Sequence, residues 1–375
     1  MPFRSLAQGA TQGQGSDQPC ALSGALGLAA ECRPIIESKL HSQSEFRLST
    51  DASTLRRPAG PAAADGRQDP LARPDDPLQA EARPKARRPE LWQVFWRMAE
   101  QVQLLIYRGG WTTRLFRHLG LPSQLHVVEL AVKPVGETRD APPLRVAFAS
   151  DFHAGPTTDP EILRRACEAL RAVEPDLLLL GGDFVSLDVH QIDWLAPLLA
   201  RVNAPLGRFA VLGNHDHWYG ADHIVRTLEA EGIEMLTNRN RRLAAPFQDI
   251  WICGLDDFTL GSPDARAALE GADGSRIVLM HAPANLLSLQ GERFDVAFCG
   301  HTHGGQLAWS GGTPIRAAPG PLSRVYNRGQ FRMDHGGTLV VSVGLGCSTV
   351  PLRINAAPEI ICCRFGGTGP TDHSD

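Results

Sequence analysis

The sequence predicts an α/β fold, a layered sandwich of buried strands and covering helices, for the chain after about residue 144. Short apolar runs alternate there with segments of helical spacing and with turn residues, a pattern typical of buried strands joined by crossover helices. The apolar fraction of 43% is large enough to bury a substantial core. The predicted strands are 144–150, 177–181, 209–213, 250–254, 277–280, 296–300, 338–343 and 359–365.

One crossover helix is well defined by its residues. The pattern predicts a helix over 161–173, with Asp159 as its N-cap and Pro160 at its first position. Its apolar residues lie on one face, as expected for a helix that covers a sheet. This helix favours an α/β domain over an all-β domain.

Length and composition limit the remaining possibilities. A chain of 375 residues exceeds one typical domain, so we expect one globular domain with additional sequence. The net charge of -4 gives no overall attraction to nucleic acid, and no nucleic-acid partner is expected. The eight cysteines form no C-x-x-C pair, which indicates a reducing compartment. Without a secretory signal or an apolar run of spanning length, we expect a cytoplasmic protein.

The first third of the chain differs from the rest. Residues 1–89 are rich in Ala, Gly, Pro, Gln, Ser and Arg, and we predict a disordered low-complexity extension there. Residues 90–143 are predicted to be an amphipathic helical segment and a linker, residues 144–366 the folded domain, and residues 367–375 a flexible tail. Met98 could also begin a chain, which leaves open whether residues 1–97 belong to the native product.

The segment 90–118 allows two interpretations. Apolar residues recur at helical spacing along one face: Leu91, Val94, Phe95, Met98, Val102 and Leu105. Such a face packs on a domain in most proteins. Basic residues and three tryptophans surround it, however, and would suit the headgroup region of a membrane, which would make the protein peripheral to the inner membrane face. Both interpretations stay open.

Polar residues of metal-binding types follow five of the predicted strands. Because ligands bind beyond the carboxyl ends of strands in open α/β sheets, these residues should converge on one crevice. Carboxylates, imidazoles and an amide oxygen suit Mn, Fe(II) or Zn. The motifs are Asp151-Phe152-His153, Gly182-Asp183, Gly213-Asn214-His215-Asp216, His281, and Gly300-His301-Thr302-His303-Gly304-Gly305-Gln306.

Each motif alone is weak evidence, but five in this order resemble the calcineurin-like metallophosphoesterase family over about residues 144–366. The resemblance implies a four-layer αββα sandwich of the metallophosphoesterase type and two divalent ions, Mn, Fe or Zn. It implies that Asp151, His153 and His303 bind the first ion, that Asp183 bridges, and that Asn214, His281 and His301 bind the second. His215 matches the family histidine that contacts the phosphate and protonates the leaving oxygen.

The implied reaction is hydrolysis of a phosphodiester or pyrophosphate bond by direct attack of a hydroxide that bridges the two metals. The extended last motif is similar to a bacterial branch of membrane-associated phosphodiesterases and UDP-2,3-diacylglucosamine pyrophosphohydrolase-like enzymes. A phosphate ester, lipid-linked or on a nucleotide-sugar, is therefore the expected substrate. A phosphomonoesterase of the same family and a non-catalytic scaffold are the alternatives. Ser186 stands where purple acid phosphatases carry a metal-binding Tyr, so a ferric-tyrosinate site is not expected.

Four further residues near the motifs have open roles. Asp216 is expected either to support the metal ligands or to lie in a surface turn. Arg353 is expected either to contact a substrate phosphate or to form an ordinary surface or ion-pair contact. His217 and His223 are expected in turn or surface roles rather than in substrate contact.

Overall fold

The computed structural model describes Met98 and residues 102–119, 124–135 and 143–366. The predicted extension 1–89 and the predicted tail 367–375 lie outside the described residues. Two six-stranded sheets form the centre of the fold. The first sheet has the order β1-β12-β2-β3-β4-β5 and contains β1 His126–Val132, β2 Leu144–Ala149, β3 Leu177–Leu180, β4 Arg208–Ala210, β5 Glu234–Met235 and β12 Glu359–Phe365.

The second sheet has the order β10-β11-β9-β8-β7-β6. Its strands are β6 Arg239–Arg242, β7 Ile250–Gly254, β8 Ser275–Leu279, β9 Val296–Cys299, β10 Gly329–Arg332 and β11 Thr338–Val341. Strands β2 to β5 are parallel to one another, as are β7, β8, β9 and β11. Parallel sheets of this kind are covered on both faces, and β2, β3 and β9 accordingly have almost no exposed residue.

Seven α-helices have both ends in the described part of the chain: α1 Trp111–His118, α2 Pro160–Ala172, α3 Ile192–Ala200, α4 Asn214–Tyr219, α5 Ala221–Ala230, α6 Ala265–Leu269 and α7 Leu286–Leu289. Residues 102–106 are also helical. Three apolar cores separate the layers. Helices α2, α3 and α5 cover the first sheet, α6 and α7 cover the second, and the third core lies between the sheets. The predicted four-layer αββα sandwich is confirmed.

Strand β2 illustrates how side chains divide between the layers. Ala147 and Ala149 face the helices, whereas Val146 and Phe148 face the second sheet. The ring of Phe148 meets that of Phe298 with centroids 5.4 Å apart, which joins the two sheets. The small side chains of β2 lie on the side of the helices and its larger side chains lie on the side of the second sheet. Both layers can therefore pack closely on this strand.

The segment 90–143 differs from its prediction in two places. The helical stretch is interrupted at Arg108–Gly110, where Gly109 and Gly110 adopt φ of 70° and 64°. Only glycine takes this left-handed conformation without strain, so the pair ends one helical stretch and α1 begins a new one. Strand β1 lies in what was predicted to be a linker, and it pairs in parallel with β12.

Helix α2 agrees with its prediction. Asp159 caps it by accepting a hydrogen bond from the Glu161 backbone N–H at 3.1 Å, and Pro160 occupies the first turn. The same carboxylate contacts Arg117 of α1 at 3.3 Å. Asp159 therefore both begins α2 and holds α1 against the domain.

Replacing Asp159 with Ala should lower the free energy of unfolding by about 1–2 kcal/mol, because one helical N–H loses its cap. Arg117→Ala removes only the ion pair of a half-exposed guanidinium and should cost less than about 1 kcal/mol. Urea denaturation of both variants measures the difference. Equal losses in the two variants would contradict the capping role.

Candidate metal centre

The loops after five parallel strands bring the predicted residues together. Asp151, His153 and His303 form one group, which we call cluster one, and Asp183, His281 and His301 form a second, cluster two. Within each cluster the possible ligand atoms lie within 4.8 Å of one another. Asn214 joins cluster two, since its Oδ1 lies 3.2 Å from His281 Nε2.

Asp183 connects the two clusters. Its Oδ2 lies 3.4 Å from His153 Nε2 on one side and 3.4 Å from His281 Nε2 on the other. Its Oδ1 accepts a hydrogen bond from the His215 backbone N–H at 2.8 Å. One carboxylate, 1% exposed, thus faces both clusters.

The backbone of the site is strained. Five of the clustered residues are non-glycine residues in the left-handed region: Asp151, His153, Asp183, His301 and His303. Their φ values run from 43° for His153 to 69° for His301. Such residues cost of order 1–3 kcal/mol each and persist only where the surrounding structure holds them. This concentration of strain is typical of a functional site.

Most of the clustered imidazoles are oriented by a partner on their outer side. His281 Nδ1 donates to the carbonyl of Gly181 at 2.8 Å, and His301 Nε2 donates to that of Pro319 at 2.8 Å. His153 Nδ1 lies 2.6 Å from Ser186 Oγ. A carbonyl accepts but cannot donate, so these bonds use His281 Nδ1 and His301 Nε2 as donors and leave His281 Nε2 and His301 Nδ1 facing the site.

His303 has a different outer partner. The guanidinium of Arg353, buried at 7% exposure, contacts His303 Nδ1 through Nη2 at 3.1 Å. Its other N–H groups donate to the carbonyls of Val343, Gly346 and Ala356. Arg353 therefore holds the loops behind cluster one in place, and the alternative of an ordinary surface contact is wrong.

The site buries negative charge that needs compensation. Burial raises the pKa of Asp183, but His281 and His215 outweigh this and hold it well below the usual range. Burial lowers the pKa of His281, but Asp183 outweighs this and raises it well above the usual value. Burial also lowers the pKa of His153, His301 and His303. The carboxylate is thus ionised, and three imidazoles are kept neutral, the form that binds metals.

Comparison with known proteins agrees with this geometry. The calcineurin-like phosphoesterase family model matches residues 144–305. An uncharacterized metallophosphoesterase of Aquifex aeolicus (strain VF5) is 30% identical over 263 residues, which span 67% of this chain and 97% of the relative. The chain belongs to the calcineurin-like metallophosphoesterase family. It is a phosphoric ester hydrolase by family.

Two further relatives are matched over a smaller share of both chains. The uncharacterized metallophosphoesterase YkuE of Bacillus subtilis (strain 168) is 32% identical over 58% of this chain and 77% of its own length. The phosphodiesterase YaeI of Escherichia coli (strain K12) is 32% identical over 59% of this chain and 82% of its own length. Both alignments leave a large part of this chain outside the shared region.

Metallophosphoesterases use divalent metals, and the donor atoms of this chain fit such ions. Bonds of about 2.0–2.2 Å to one cation place neighbouring donors about 3.0–3.5 Å apart. His153 Nε2 lies 3.0 Å from His303 Nε2, and His303 Nε2 lies 3.5 Å from Asp151 Oδ1. In cluster two, His301 Nδ1 lies 3.2 Å from His281 Nε2. Imidazole nitrogens at these distances could bind a common ion.

His215 lies beside the clusters of this metallophosphoesterase. Its ring meets the His153 ring edge-on, with centroids 4.6 Å apart. Its Nδ1 is buried and has no hydrogen-bond partner within the described ranges. A buried polar atom without a partner is costly. His215 also offers a possible ligand atom within 4.8 Å of those of His153 and Asp183.

Asp216 is fully buried, so the surface-turn alternative is wrong. Its Oδ2 accepts hydrogen bonds from the backbone N–H groups of Asp183 at 2.7 Å and Gly213 at 2.9 Å. Its Oδ1 accepts one from Phe184 N–H at 2.8 Å. Asp216 thereby ties the loop of Asp183 to the loop of Asn214 and His215.

Replacing Asp216 with Asn should destabilise the domain by about 2–3 kcal/mol, because either amide orientation points an NH₂ group at backbone N–H donors. Thermal and urea denaturation measure this loss. Asp222→Asn, an exposed change on α5, is the matched control. Equal stability of the Asp216→Asn variant and the control would contradict the assignment.

Proposed function

We propose that this chain hydrolyses phosphodiester or pyrophosphate bonds with two divalent cations, Mn, Fe or Zn. The observation that supports this most directly is the Asp183 carboxylate, which faces cluster one and cluster two at equal distances of 3.4 Å. The same oxygen, Oδ2, makes both approaches, so it could serve an ion in each cluster while Oδ1 accepts the His215 backbone N–H. The phosphodiesterase YaeI, 32% identical, favours the diester.

The proposed ligands follow from the two clusters. Asp151, His153 and His303 would hold the first cation, with Asp183 shared. The second cation would be held by Asp183, Asn214, His281 and His301. The set mixes oxygen and nitrogen donors without thiolate, which favours Mn, Fe or Zn over soft-metal or calcium sites.

Bound cations of this kind supply Lewis acidity, since they lower the pKa of water and neutralise phosphate charge. The chain's own residues perform the remaining tasks. We assign to His215 the donation of a proton to the leaving oxygen, because its ring lies against His153 of cluster one, with centroids 4.6 Å apart. Asp183 Oδ1 positions it by accepting the hydrogen bond from its backbone N–H.

Asp183→Asn should lower kcat/KM by about 100-fold or more and reduce the metal content, since even outer partners of metal ligands are worth 10–100-fold. The assay uses bis(p-nitrophenyl) phosphate and p-nitrophenyl phosphate with Mn²⁺, and the wild type should prefer the diester. His215→Ala should lower kcat about 10²–10⁴-fold while metal content stays unchanged.

The exposed Asp222→Asn and His118→Ala changes are the matched controls for this pair. Full activity of Asp183→Asn would contradict the metal assignment. Loss of metal in His215→Ala would contradict its role as acid. A clear preference of the wild type for the monoester would make the chain a phosphomonoesterase instead.

We further propose that the segment before β1 contacts an anionic membrane surface, with a lipid-linked or nucleotide-sugar phosphate ester as substrate. Thr112 and Thr113 are buried, so α1 packs on the domain through a small polar face. Six large apolar residues of α1, of the stretch before it and of the position directly after it are exposed beside Arg108 and Arg114. These are Val102, Leu105, Ile106, Trp111, Leu115 and Leu119, from 44% to 71% exposed.

A peripheral contact is the kind of attachment this surface allows. No helix within the described ranges is both long enough and apolar enough to cross a membrane. Leu105 and Leu115 are 71% and 44% exposed, which makes them suitable for substitution without loss of core packing. The proposal therefore depends on surface residues that can be changed independently of the fold.

Leu105→Glu with Leu115→Glu should reduce co-sedimentation with phosphatidylglycerol vesicles at least about tenfold. Each Glu removes a favourable apolar contact and adds repulsion from anionic lipid. Leu260→Glu with Ile315→Glu, two exposed apolar residues elsewhere, is the matched control. Equal binding of the two double variants would refute the membrane contact.

A further inference from the structure

We propose that His190, Asp193 and His223 form an additional metal-binding site, suited to Zn²⁺ and separate from clusters one and two. Asp193 Oδ1 lies 2.8 Å from His223 Nε2, and its Oδ2 lies 3.3 Å from His190 Nδ1. The three possible ligand atoms all lie within 4.8 Å of one another. Two imidazoles and one carboxylate thus converge on one point at the surface.

The fold holds the backbone of these three residues in place. His190 lies in the 3₁₀ turn Val189–Gln191, and Asp193 follows it on the same side in the first turn of α3. Asp188 caps this turn by accepting from His190 N–H at 3.1 Å. His223 lies in the first turn of α5, and α3 and α5 pack together in the core that covers the first sheet. The side chains therefore meet without a loop rearrangement.

The donor chemistry favours a borderline metal. Neutral imidazole nitrogens with a carboxylate oxygen are frequent ligands of Zn²⁺, and three protein ligands leave a position for water. The hydrogen bond from His223, followed by that from His190, lowers the pKa of Asp193, so this carboxylate is ionised at neutral pH. Each imidazole approaches a different oxygen of Asp193, at 2.8 and 3.3 Å, and one ligand atom from each residue lies within 4.8 Å of the other two, which leaves room for one ion among them.

The position of the site gives it a structural consequence. The turn before α3 follows the loop that carries Asp183, and α5 follows the helix that carries Asn214 and His215. An ion held by His190, Asp193 and His223 would link these two segments at their surface side. It would stabilise the folded chain without contributing a ligand to the proposed catalytic centre.

The test uses the full chain without an affinity tag, stripped with EDTA, in the His153→Ala/Asp183→Asn/His281→Ala background, which removes ligands from both cluster one and cluster two. That background removes proposed catalytic ligands, so failure of this proposal is distinguishable from failure of the proposed function. Isothermal titration with ZnCl₂ should show a binding event that adding His190→Ala and His223→Ala abolishes. Zn²⁺ should also raise the melting temperature of the parent, and this shift should be lost in the variant with His190→Ala and His223→Ala.

Asp193→Asn provides a second variant that keeps hydrogen-bonding capacity and should also lose the event. His118→Ala/His126→Ala, two exposed histidines elsewhere, should keep it. Because His190, Asp193 and His223 lie at the surface, circular dichroism should show that their variants are folded. The proposal would be overturned if the variant with His190→Ala and His223→Ala bound Zn²⁺ as tightly as its parent. It would also be overturned if the parent showed neither Zn²⁺ binding nor a thermal shift.

Discussion

The burial of the Asp183 carboxylate is the constraint on which the rest of the site depends. An ionised carboxylate with 1% exposure is costly unless positive charge and hydrogen bonds surround it. His153 and His281 both approach its Oδ2 at 3.4 Å, and the His215 N–H donates to its Oδ1. Asp216 in turn holds its backbone. The surrounding residues are arranged to keep one negative charge fixed where two clusters meet.

The packing of the layered fold offsets the conformational free-energy cost of this arrangement. Left-handed backbone at Asp151, Asp183 and His303 opposes folding, and the buried parallel strands before these residues supply the packing that offsets it. The two sheets deliver different ligands: the first carries Asp151, Asp183 and Asn214, whereas the second carries His281, His301 and His303. Contact between the sheets, including Phe148 against Phe298, therefore sets the distance between the ligands.

Much of the fold and of the candidate site could be predicted because the residues that indicate them lie close together in the sequence. Metal-binding residue types directly after apolar runs indicated a common edge, and Asp159-Pro160 indicated the start of α2. Contacts between distant segments left no such signal. Arg353 behind His303 joins residues 50 apart, and Ser186 beside His153 joins residues 33 apart. Strand β1 was missed because five of its seven residues alternate between partial and full exposure, unlike the buried runs.

The central claim is that two ions share the Asp183 carboxylate. An anomalous difference map from a crystal grown with Mn²⁺ tests it most directly. We expect two peaks, one among Asp151, His153 and His303 and one among Asn214, His281 and His301, with the Asp183 carboxylate between them. A single peak, or peaks that Asp183 does not contact, would contradict the account.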